Sequence, residues 1–153
     1  MTRKVCRRRH YALVNPIRLA LEGAAIPSEE RLDKLRLREL AAIEAFAKGG
    51  ARPEEFRDIC DMLNLAETMG RSGIGPEVLS TCEAVEAELL GAKARYETTG
   101  RMGITAAGLR ALRDLYEYHD LQRSSVALSE YERAIRATRN RIRSAHPDVK
   151  VLT

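Results

Sequence analysis

Residues 53–70 read PEEFRDICDMLNLAETMG, and this stretch decides the fold class. Phe56, Ile59, Met62, Leu63, Ala66 and Met69 recur at steps of three and four, which at about 100° per residue gathers them on one side of a helix. A half-buried strand would alternate apolar with polar residues, and no such alternation runs for more than a few positions anywhere in the chain. Pro53 suits the first helical turn because its missing N–H has no intrahelical partner there. Glu54 and Glu55 meet the positive end of the helix dipole, and Gly70-Arg71-Ser72-Gly73 ends the pattern.

The same punctuation repeats on both sides of this stretch. Upstream, Pro27-Ser28 opens a helix with Ser28 as N-cap and Glu29 and Glu30 in the first turn, closing at Gly49-Gly50 after Lys48. Its expected apolar face is Leu32, Leu35, Leu40, Ile43 and Phe46. Downstream, a helix starting at Pro76-Glu77 and running to Thr98 places Val78, Cys82, Val85, Leu89 and Tyr96 together. Thr105 caps a fourth, extending to Ser124 with Leu109, Leu112, Leu115 and Tyr116 inward. The fifth begins with a capping box, Ser129-Glu130-Tyr131-Glu132, buries Tyr131, Ala134, Ile135, Thr138 and Ile142, and ends near His146-Pro147. A short helical turn over Pro16 to Glu22 precedes them. The expectation is an all-α chain, an antiparallel bundle of about five helices, with residues 1–15 a basic arm and residues 16–153 a single helical domain.

Composition agrees. With 44% hydrophobic and 31% charged residues in 153, the chain is too apolar for disorder and long enough to bury a core without staples. Cys6, Cys60 and Cys82 are an odd set without paired spacing, which points away from a disulfide framework and toward a reducing cytoplasm. Neither a signal peptide nor an apolar run of about 18–20 residues is present, so no membrane contact and a cytoplasmic location are expected.

The formal charge of +4 is concentrated rather than spread. Arg3, Lys4, Arg7, Arg8, Arg9 and His10 form a positive arm with no acid before Glu22. On the last helix Arg133, Arg136 and Arg143 lie opposite the apolar stripe, with Arg139 and Arg141 at its edges. Such surfaces hold DNA or RNA phosphates, or an acidic patch on a protein. No tight-turn recognition-helix pattern accompanies them.

Polar residues also break the apolar stripes: Arg36 and Glu39 on the first long helix, Glu86 beside Val85 and Leu89, and His119 one turn beyond Tyr116. An unpaired buried charge costs several kcal/mol, on the order of a broken buried ion pair, so these residues need partners. They read as a structural polar cluster or as the lining of a binding cleft. A carboxylate-bridged metal bundle would need a Glu-x-x-His pair on each of two helices, and the chain has none. Cys6 and His10 are at most half of a zinc knuckle, and Cys60 and Cys82 fall on apolar faces as small buried hydrophobes. Glu117-Tyr118-His119-Asp120 splay in different directions on a helix, and Gly100-Arg101-Met102-Gly103 lacks the Lys-Ser/Thr of a phosphate loop. No catalytic residue, metal or cofactor is expected, and the chain does not read as an enzyme.

The runs Arg7-Arg8-Arg9-His10-Tyr11-Ala12-Leu13-Val14-Asn15-Pro16, Arg38-Glu39-Leu40-Ala41 and His119-Asp120-Leu121-Gln122-Arg123 carry a resemblance. The chain resembles uncharacterised small helical proteins encoded by phages and prophages of Burkholderia-like bacteria, over most of its length. The resemblance implies an accessory protein in a bacterial host cytoplasm, acting on a host or phage protein or on nucleic acid. The expected function is therefore non-enzymatic binding of a host macromolecule, inhibition of host defence included. The alternative is DNA or RNA binding through the arm and the last helix. Leu37, Leu65 and Leu121, off the main stripes, suggest a homodimer.

Overall fold

A computed structural model describes residues 15–25 and 27–145; the arm, apart from Asn15, and the expected stop at His146-Pro147 lie outside the described residues. The described chain is all-α. Six helices follow in order: α1 (Pro16–Ala24), α2 (Glu29–Ala47), α3 (Pro53–Arg71), α4 (Val78–Thr99), α5 (Ala106–Ser125) and α6 (Leu128–Ser144). The only β pairing among the described residues is an isolated antiparallel bridge between Ala51 and Met102, which ties the α2–α3 and α4–α5 connections together. No helix there is long and apolar enough to cross a membrane.

The stretch that decided the fold class is also its axis. α3 buries Phe56, Ile59, Cys60, Met62, Leu63, Ala66, Met69 and Gly70, an arc of about half the helix circumference at 100° per residue. So wide a face cannot be covered by one neighbour, and α3 packs against α2, α4, α5 and α6 alike. Close approach at its end depends on Gly70, where a Cβ would sit 2.8 Å from Val78 Cγ1 and 3.0 Å from Leu79 Cδ2. A second, smaller cluster of Met69, Val126, Tyr131 and Ala134 joins α3 to α6.

Helix ends follow local chemistry with corrections. Thr105 does cap α5, its hydroxyl accepting from the Gly108 N–H at 3.0 Å. Glu55 accepts from the Arg52 N–H at 2.9 Å, closing the start of α3. α4 begins at Val78 rather than at Pro76-Glu77, because Gly73 and Gly75 take left-handed φ of 92° and 57° and the chain first makes a turn bonded from Val78 N–H to the Gly75 carbonyl. The expected capping box at Ser129 is wrong: α6 starts at Leu128 with Ala127 as N-cap and no side-chain cap. The Leu128 N–H instead donates to the Ala25 carbonyl at 2.8 Å, so a neighbouring segment supplies what a cap would. That bond also seats α1, which is capped by Asn15 and leaves Ile17, Leu19 and Leu21 exposed.

Two apolar-face assignments also change. Leu40 is 44% exposed while Glu39 is 4% exposed, because the inward arc of α2 runs through Leu32, Glu39, Ala42, Ile43 and Phe46. Tyr96 is exposed because the buried face of α4 ends at Ala92.

Candidate functional site

Between α2 and α5 the chain buries an ion network. Arg123 is fully enclosed, the largest side chain so placed among the described residues. Its guanidinium donates Nη1 and Nη2 to the two Glu39 carboxylate oxygens at 2.9 and 2.7 Å, and Nε to Asp120 Oδ1 at 2.8 Å. Asp120 in turn accepts from Arg36 at 2.9 and 3.1 Å, and Arg36 extends to Glu29 and Asp33 at 2.7 and 3.1 Å on the surface. The Tyr116 ring lies over Arg123, 5.8 Å from the guanidinium carbon to the centroid. Two arginines against Glu39 and Asp120 make the buried part neutral, which is how charges survive in a low dielectric. Burial pushes the Glu39 carboxyl up against the opposing pull of Arg123. The carboxylates of Glu39 and Asp120 hold Arg123 in its cationic form.

His119 and Gln122 share the inward face of α5 with Arg123, at positions i, i+3 and i+4. The Gln122 amide donates to the Ile74 carbonyl at 2.7 Å and the Ala66 carbonyl at 3.2 Å, pinning the α3–α4 turn to α5. Both amide hydrogens being committed, Gln122 Oε1 is an acceptor, and His119 Nδ1, 3.2 Å away, carries the ring proton. Burial, with Arg123 adding to it, drives the His119 pKa down to about 4. The imidazole is neutral at physiological pH.

Above these residues α2 and α6 stand apart over α3 and leave a cleft of about 350 Å³. Leu35, Met62, Leu65, Ile135 and Ile142 line it, Glu39, His119 and Tyr131 also reach it, and Arg38 on α2 and Arg139 on α6 flank it with Asp61. Burial raises the Asp61 carboxyl, and Arg38 and Arg139 partly offset this.

The sequence candidates divide accordingly. Arg36 and Glu39 join one network through Asp120 and Arg123, while His119 pairs with Gln122 and shares the cleft lining with Glu39. Glu86 does not join them: it is exposed on α4, whose inward arc passes through Val85 and Leu89 and leaves position 86 facing solvent. Arg133, Arg136, Arg139 and Arg143 are exposed on α6, and none forms an ion pair among the described residues. Arg141 turns inward and pairs with Glu67 at 2.6 Å, joining α6 to α3. Arg3, Lys4, Arg7, Arg8, Arg9 and His10 lie outside the described residues. Leu37 and Leu121 are exposed, whereas Leu65 is spent on the cleft.

Sequence reasoning missed Asp120, Gln122 and Arg123. A signal was there: continuing the Leu112–Leu115 face by helical steps reaches 119, 122 and 123, and a buried His with Gln and Arg on one face demands polar partners on another helix. Among the described residues no cluster of His, Cys, Asp and Glu could hold a metal ion. Cys60 and Cys82 are free and buried, with burial pushing each thiol up to about 12, so they pack as small hydrophobes without thiolate character. No family model, no curated protein and no solved structure matches the chain.

Proposed function

We propose that the chain is a non-enzymatic binding protein that engages another protein through α2, α3 and α6, in the accessory, host-directed role that the resemblance to phage-encoded helical proteins implies. The observation that supports this reading is the α2–α6 cleft: partly exposed apolar side chains on a rigid floor, with arginines on both walls. Protein interfaces combine such an apolar centre with a charged rim. The ion network beneath it fixes the α2–α5 contact, so the cleft is built before any partner arrives. Acid–base chemistry finds little footing in the same residues, since the His119 pKa is driven far below neutral pH and Glu39 is locked to Arg123.

The test is affinity capture by the full chain from nuclease-treated bacterial lysate, beside Ile135→Asp and Arg139→Glu. A protein retained by the parent and lost by both variants is expected. If nothing the parent retains is lost by the variants, the reading fails.

A second reading, nucleic-acid binding, draws on the four exposed arginines of α6 that form no ion pair among the described residues, together with the basic arm. It requires that DNA or RNA affinity fall with salt, by roughly 0.9 log units per decade for each duplex phosphate contacted, and that Arg133→Glu/Arg136→Glu abolish it. A homodimer through Leu37 or Leu121 is proposed only as a route to avidity, and sedimentation of Leu37→Glu against the parent would decide it.

A further inference from the structure

Resting on the protein-binding reading, we infer that the α2–α6 cleft takes an acidic segment of a partner protein anchored by a Trp or Tyr side chain, whose N–H or O–H donates to His119 Nε2.

His119 is 1% exposed, and its proton is on Nδ1, where Gln122 Oε1 accepts it. Nε2 therefore presents a lone pair, and no hydrogen bond to it exists among the described residues. Yet no fully buried side-chain nitrogen or oxygen there lacks a partner. Nε2 must then be the edge by which the ring reaches the cleft that His119 lines. A buried acceptor, held in one tautomer and open only toward a cleft, selects a hydrogen-bond donor.

Leu35, Leu65, Ile135 and Ile142 are partly exposed around that acceptor, so the donor must arrive on an apolar body. Trp and Tyr join a large apolar surface to one polar handle, and they dominate the buried centres of interfaces. About 350 Å³ is at the lower end of ligand-pocket sizes, which suits one or two large side chains.

Arg38 on α2 and Arg139 on α6 both line the cleft. Arg31 lies two helical turns before Arg38, while Arg136 and Arg143 lie one turn before and one turn after Arg139 on the same side of α6. Glu39 is neutralised by Arg123 and Arg38 by Asp58 at 3.3 Å, and Asp61 is a lining carboxylate with no ion pair among the described residues, so the positive excess rests on Arg31, Arg136, Arg139 and Arg143. Arginine prevails at the rim, so acidic residues beside the aromatic anchor are favoured. A phosphodiester backbone would find no use for the leucines and isoleucines.

The experiment is selection of random peptides about 16 residues long, roughly four helical turns if they fold on binding, on the full chain. Enrichment of Trp or Tyr with neighbouring Asp or Glu is expected. Removing the donor from a selected peptide, by Tyr→Phe or by N-methylation of the indole, should weaken binding to the parent about tenfold, the size of one well-placed hydrogen bond. It should leave binding to His119→Phe unchanged. If His119→Phe does not fold, the peptide pair on the parent decides alone: equal affinities overturn the inference. A neutral or basic consensus, no enrichment, indifference to Ile135→Asp, or equally tight competition by a single-stranded DNA oligonucleotide also overturns it. A lysate protein that Ile135→Asp loses, found without the acidic-aromatic consensus, leaves the binding reading standing and removes this one.

Discussion

Replacing Arg123 by Met isolates the buried ion network. Met fills much of the same volume but cannot donate, so Glu39 loses both of its 2.7–2.9 Å bonds and Asp120 loses one of its arginines. Breaking a buried pair from one side costs about 3–5 kcal/mol because a charge is left uncompensated. For a chain of this length that is roughly 6–20 °C in Tm, at about 2–4 °C per kcal/mol. Glu39→Leu/Arg123→Met removes both charges and leaves Asp120 to Arg36, so the double variant should recover most of the loss. pH supplies an independent check. Without Arg123, the Glu39 carboxyl keeps the upward push of burial and loses its counter-charge, so its folded pKa lies above the unfolded value. The folded state then binds more protons, and the stability deficit of Arg123→Met should be smallest below about pH 4, near the unfolded carboxylate value, and grow as pH rises. Urea denaturation of the parent and the two variants between acidic and neutral pH measures all of this. A single variant within about 1 kcal/mol of the parent, against the several expected, or a double variant no better than Arg123→Met, would refute the reasoning.

The remaining predictions concern the residues around that network. His119, with a folded pKa of about 4 against an unfolded value of about 6.5, binds fewer protons when folded. Its contribution, about 3 kcal/mol, is therefore complete above the unfolded value and lost as pH falls toward 4, opposing the trend that Glu39 sets; NMR titration of the ring should show a mostly neutral imidazole at about pH 5, where an ordinary imidazole is already charged. Gln122→Ala strands the Ile74 carbonyl and the His119 Nδ1 proton and should destabilise by about 1–3 kcal/mol, with hydrogen exchange rising first in the α3–α4 turn. Gly70→Ala presses a Cβ to 2.8 Å from Val78 and should cost about 1–3 kcal/mol by overpacking, whereas helix propensity alone would predict a gain; thermal melts distinguish the two signs.

The sequence alone determined that this chain is helical and nearly where its helices lie. Apolar periodicity, proline at helix starts and glycine at helix ends are local signals, and residues 53–70 carried the strongest of them. Local signals also misled where a neighbour intervened. Ser129 has every mark of a cap, yet α6 starts earlier because Ala25 supplies the carbonyl that Leu128 needs. Leu40 and Glu86 show the same limit: a helical wheel gives the width of a face but not its centre, which is set by the helix packed against it. Arg36, Glu39 and His119 were legible as polar residues on apolar faces, a pattern that demands partners without naming them. Which partners answer is a property of tertiary packing. Only the α2–α5 contact brings Arg123 and Asp120, 84 positions along the chain from Glu39 and Arg36, within hydrogen-bonding distance. Only the separation of α2 from α6 over α3 opens the cleft. Hydrophobic period is encoded in a few consecutive residues, whereas the meeting of distant polar groups depends on how several helices share one core.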